Sequence, residues 1–158
     1  MRKDDVDSDL SILAFDFFYW FSRFEFALKE NCYLKSHVPG EKAEPGWDEF
    51  TTKWREHYVA SAEANALLAA PPQRQIVGAN GCLDQTWNTV GLQDCKYDLE
   101  KIVRLVKTVR NNLFHGGKHG GESWDDPKRT RELLTIGHAI LDQLAQLTSL
   151  EPDYKQKY

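Results

Sequence analysis

Apolar residues return every three to four positions in several stretches of this chain, and polar residues crowd the segments between them. In the first stretch, Phe17, Trp20, Phe21, Phe24, Ala27 and Leu28 make one wide aromatic stripe at helical spacing. Ser8 or Asp9 is placed to cap that helix. A stripe of this kind reads as core or as a subunit interface rather than as a base-stacking platform. Residues 35–46 contain Pro39, Gly40, Pro45 and Gly46 and read as a loop. A second helix is expected from about Asp48. It carries Phe50, Trp54 and Tyr58, then an alanine-rich run to Ala70, and Pro71-Pro72 stops it. Residues 73–91 have the weakest pattern. Ile76-Val77 suits a short extended piece, Gly78, Gly81 and Gly91 punctuate it, and no sheet is expected.

A third helix is expected from roughly Asp94, with Leu99, Ile102, Val103, Val106, Val109 and Leu113 on its apolar face. Asp126 followed by Pro127 signals the start of a last helix, as a cap and a proline at the first position. Leu133, Leu134, Ile140, Leu141, Leu144 and Leu147 give that helix a core face, and Glu151-Pro152 ends it. The fold class is therefore read as all-α: a bundle of four to five helices with an irregular segment between the second and third long helices. It forms a single domain over residues 1–158, frayed at about 1–7 and 151–158.

Composition narrows the partners. The 158 residues are 41% hydrophobic and 28% charged, as in a water-soluble globular domain. The net charge of −4 argues against a protein that coats long nucleic acid, yet leaves room for a local site for one or two phosphates. Cys32, Cys82 and Cys95 are odd in number and form no Cys-x-x-Cys pair. They point to a reducing, cytoplasmic setting without disulfides or zinc. The apolar run from Leu10 to Phe21 is too short to span a bilayer and is broken by Asp16, and no signal peptide precedes it. No histidine or carboxylate cluster has metal-ligand spacing, so neither a metal nor another cofactor is expected.

The chemistry concentrates where the third helix runs out into glycines, in Arg110-Asn111-Asn112-Leu113-Phe114-His115-Gly116-Gly117. A cation that never deprotonates stands close to a residue that exchanges protons near neutral pH. Both types also occur at helix C-termini as simple caps or dipole-facing residues. Lys101, Arg104 and Lys107 wind around the same helix and suit a solvated face or a guide for a phosphate backbone. Asn112, Lys118 and His119 add candidate contacts, although Gly-Gly-Lys-His-Gly-Gly lacks the spacing of a P-loop. Arg23 and Glu25 interrupt the aromatic stripe. Glu25 is a candidate partner for Arg110, with a solvated position as the alternative.

Arg110-Asn111-(x3)-His115 resembles the signature of the HEPN superfamily, an arginine, a polar residue and a histidine after a short gap at the end of one long helix. The helix order resembles HEPN domains as well, although only the motif is specific. The resemblance implies a metal-independent endoribonuclease of toxin–antitoxin or anti-phage systems, acting as a homodimer with both motifs in one cleft. It also implies an RNA substrate, 2′,3′-cyclic phosphate products and an antitoxin or regulatory protein as partner. His115 then acts as acid or base, Arg110 holds the phosphate, and Asn111 orients one of them. Arg23 and Glu25 are supporting candidates, since a charged residue of the first helix often faces the motif in this family. The alternative is a non-catalytic HEPN module for dimerisation or for nucleotide or RNA binding.

Overall fold

Asp7 opens the first helix, one residue before Ser8 and two before Asp9, the two expected caps. Its carboxylate accepts the Leu10 N–H at 2.7 Å and also pairs with Arg131. The helix, α1, covers Ser8–Glu30. The structure is a computed structural model that describes residues 7–115 and 126–155, apart from the side chains of 82–85 and 115. Phe17, Phe21, Phe24, Ala27 and Leu28 of the expected stripe are buried, and Trp20 packs against them.

The second expected helix is two helices. α2 covers Trp47–Trp54 and α3 covers Ala62–Ala69. Residues 55–61 between them are not helical. Trp54 donates its indole N–H to the Tyr33 hydroxyl at 2.9 Å. Arg55 turns to Glu100 at 3.3 Å. Ser61 accepts the Ala64 N–H at 3.1 Å, which starts α3 afresh. Gly46, just before α2, is required sterically: a Cβ there would lie 2.6 Å from the Leu34 backbone.

A further departure from the all-α reading lies in the segment of weakest pattern. β1 (Gln73–Gly78) and β2 (Gly81–Thr89) form an antiparallel hairpin, with Gln73 opposite Thr89 and Val77 opposite Gln85. The hairpin is held to α4 (Asp98–His115), the third long helix. α4 starts later than expected, because Asp94 is engaged by Arg104. The Glu100 carboxylate reaches back to accept the Lys96 and Tyr97 N–H groups at 2.9 and 3.2 Å, closing the N-terminus. Leu99, Ile102, Val103, Val106 and Val109 are buried as expected, while Leu113 is partly buried.

α5 covers Pro127–Leu147, with Asp126 accepting the Lys128 N–H at 2.8 Å and Pro127 at the first position, as the sequence signals. Leu133, Leu134, Ile140, Leu141 and Leu144 are buried, whereas Leu147 is exposed. Gly137 lets α5 approach α1 closely. The expected frayed end at 151–158 is corrected over 151–155, because α6 (Glu151–Lys155) docks on α1. Tyr154 is fully buried against Trp20 and Phe24, with ring centroids 5.0 and 6.0 Å away. Arg23 donates to the Tyr154 and Asp153 carbonyls, and Asn31 donates to the Asp153 carboxylate at 2.8 Å. The described residues therefore form a mostly helical fold, six helices and one two-stranded sheet around a common apolar core. No helix among them is long and apolar enough to cross a membrane.

Candidate functional site

The last turns of α4 present Lys107, Arg110 and Asn111 on one side, since positions three and four apart are neighbours on a helix. The Arg110 guanidinium makes three contacts among the described residues. One N–H donates to the Asn111 side-chain oxygen at 2.9 Å, and the Glu25 carboxylate of α1 lies 3.7 Å away. The third contact is with the Phe21 ring, whose centroid is 5.1 Å from the guanidinium carbon. Glu25 is fixed in turn, accepting the Trp47 indole N–H at 3.0 Å. Trp47 stacks on Phe24 at 5.1 Å and touches Phe21 and Phe50, so the buried aromatic stripe reaches the site through one indole. The Lys107 ammonium lies 6.0 Å from the same indole ring. A half-buried, pre-oriented arginine beside a second cation is suited to holding an anion through two guanidinium N–H groups.

The other sequence-derived candidates fall in different places. Arg23 lies on a different side of α1 and holds α6, so it does not join Arg110. Asn112 donates its amide N–H to the Gln73 carbonyl at 2.7 Å and fastens the hairpin to α4, away from Arg110. The His115 backbone completes α4. The His115 side chain, Lys118 and His119 lie outside the described residues. Among the described residues, no three His, Cys, Asp or Glu side chains gather as metal ligands.

Beside Arg110, a groove of about 550 Å³ opens between α2 and α4, with Asp48, Thr51 and Thr52 facing Arg104, Lys107, Thr108 and Asn111. Its far end is built by ion pairs. Arg104 grips Asp94 with two N–H groups at 2.5 and 2.7 Å and donates to the Gly91 carbonyl at 2.8 Å. The Arg104 hydrogen bond holds the Asp94 carboxyl down at about 2. Burial pushes the Cys95 thiol in the groove wall upward, away from the reactive thiolate. The sequence reading missed Trp47, Asp48 and this groove. Glu25 lies at helical spacing from Phe21 and Leu28, so the stripe itself marked it as near the core.

On the opposite flank of Arg110 the surface is apolar. Ile12, Phe15, Phe18 and Tyr19 of α1 are exposed, Phe15 by 64%. Phe114, one position before His115, is also exposed and meets Phe18 with ring centroids 4.8 Å apart. No protein-family model matches the chain, and no curated protein or solved structure matches it either.

Proposed function

We propose that the chain is a metal-independent endoribonuclease of HEPN type, working as a homodimer in a toxin–antitoxin or anti-phage role. The observation that carries this reading is Arg110, held by Asn111 and Glu25 at the surface five positions before His115. RNA supplies its own nucleophile, the 2′-hydroxyl. Cleavage then needs a base for that proton, an acid for the leaving 5′-oxygen and positive charge on the crowded phosphate. Arg110 supplies the charge, and Asn111 keeps its guanidinium oriented. His115 transfers protons, since its free pKa lies near 6.5.

One histidine does not conveniently serve as both base and acid in one turnover, so a second copy is expected to bring its own. The exposed aromatic flank is where we seat it. Phe114 belongs to that flank and directly precedes His115, so a second copy covering Phe15, Phe18 and Phe114 carries its motif toward the first. The products by this route are a 2′,3′-cyclic phosphate and a 5′-hydroxyl.

The test is cleavage of single-stranded RNA in EDTA by wild type, Arg110→Ala and His115→Ala. Wild type is expected to leave cyclic phosphate ends, and both variants to be inactive while folded. Activity that survives both substitutions rejects the assignment. The second reading, a non-catalytic dimerisation or nucleotide-binding module, is favoured by the Glu25 carboxylate, which already occupies part of the arginine's charge. It becomes the better account if wild type leaves every RNA intact.

A further inference from the structure

The α2–α4 groove continues past Lys107 into a second hollow. The two cavities, about 550 and 450 Å³, share Asp48 and Lys107 in their walls. Most polar groups around them are already committed. Arg104 is held by Asp94, Glu100 by Arg55 and the Lys96 and Tyr97 amides, Lys35 by Glu44, and His37 by Glu49. The Thr51 and Thr108 hydroxyls donate to the backbone carbonyls of Asp48 and Arg104. Lys107 makes no ion pair among the described residues, and its only described polar contact is with the face of Trp47. The Asp48 carboxylate is exposed and has no hydrogen-bond partner among the described residues. One uncommitted cation and one uncommitted carboxylate thus face a cavity whose lining includes Asn111, the residue touching Arg110.

We infer that this groove is a nucleotide seat that reads guanine next to the phosphate held by Arg110. The inference rests on the proposed RNA cleavage for the identity of the neighbouring site. A carboxylate accepts from two N–H groups side by side, and guanine presents that pair on its N1 and exocyclic N2. Adenine offers an amino group beside an acceptor nitrogen, and uracil sets two carbonyls around a single N–H, so both meet repulsion at Asp48. Lys107 takes the nucleotide's phosphate as a point charge, which carries no base preference. Lys107 precedes Arg110 by one turn of α4, so the two cations serve consecutive parts of one strand.

The experiment titrates the full-length protein with 5′-GMP and 5′-UMP, following the intrinsic fluorescence of its tryptophans and, independently, heat of binding. RNA cleavage sites are mapped on the same preparations. Wild type is expected to bind 5′-GMP about tenfold more tightly than 5′-UMP, the discrimination expected of one good paired contact. Asp48→Asn should abolish that preference. Lys107→Ala should weaken both nucleotides alike. Both side chains reach the surface, and thermal melts verify that the variants fold. Equal binding of the two nucleotides, or an Asp48→Asn protein that still prefers 5′-GMP, overturns the seat. The two proposals separate cleanly. RNA cutting without guanine preference rejects the seat and keeps the nuclease, whereas 5′-GMP preference without cutting keeps the seat and rejects the nuclease.

Discussion

Gly137→Ala tests the contact on which the α1–α5 core depends. A Cβ at Gly137 would stand 2.6 Å from Cε2 of Phe17 and 3.4 Å from its Cδ2 and Cζ. Carbon atoms rest at roughly 3.5–4.0 Å, so the nearest contact must open by about 1 Å. Phe17 is fully buried, with the Phe21 ring centroid 6.1 Å away, and cannot swing into solvent. Overpacking of this kind costs about 1–3 kcal/mol. Alanine returns roughly 0.5–1 kcal/mol of that through lower backbone freedom in the unfolded chain. The net expectation is a loss centred on about 1 kcal/mol and reaching at most about 2.5 kcal/mol, and each 1 kcal/mol lowers Tm by roughly 2–4 °C at this chain length. Urea unfolding followed by circular dichroism, with calorimetry for Tm, measures both. The control is the same change in a Phe17→Leu background, where the clashing ring atoms are gone and Gly137→Ala should become neutral or mildly stabilising. If Gly137→Ala alone raised stability by the alanine increment, α5 would not pack against Phe17 as described.

Three further outcomes follow from other contacts. Asp126→Ala removes the cap that accepts the Lys128 N–H and should cost about 1 kcal/mol in urea unfolding. Tyr154→Ala empties the α6 anchor and should cost about 3–5 kcal/mol, in the range of buried aromatic truncations, with Trp20 fluorescence shifted to the red. Asp94 is held at about 2 against an ordinary 3.8, so its ionised form favours the folded state. That contribution is complete above pH 3.8 and disappears as pH falls through about 2. The stability difference between wild type and Asp94→Asn should therefore shrink over that window and stay flat above it, as read from urea midpoints against pH.

The long helices were legible because each one buries a single face, and burial leaves a 3.6-residue period in the sequence. α5 also announces both its cap and its first proline. The breaks were harder to see. Phe50, Trp54 and Tyr58 keep helical spacing across the end of α2, but Trp54 is committed to Tyr33 and Arg55 to Glu100, residues distant in sequence. The hairpin did leave a signal in Asn80-Gly81, with Gly81 at φ 67 where the turn enters β2, and the polar strands around it hid the alternation. α6 is too short to show a period, and its placement depends on Arg23 holding two carbonyls. Of the site, the Arg110–Asn111 pair was visible as adjacent residues. The Glu25 contact was one of two open readings, and the groove was invisible because Asp48 and Lys107 meet only through tertiary packing.

The docking of α6 on α1 also orders events in time. Phe17, Phe21 and Phe24 emerge early in synthesis, while Leu141 and Tyr154 emerge only after most of the chain has been made. Until then the part of the aromatic stripe that α5 and α6 cover is an unshielded apolar surface, open to chaperones and to self-association. A ribosome that stalls just before Tyr154 would therefore release a protein whose defect is felt at its first helix.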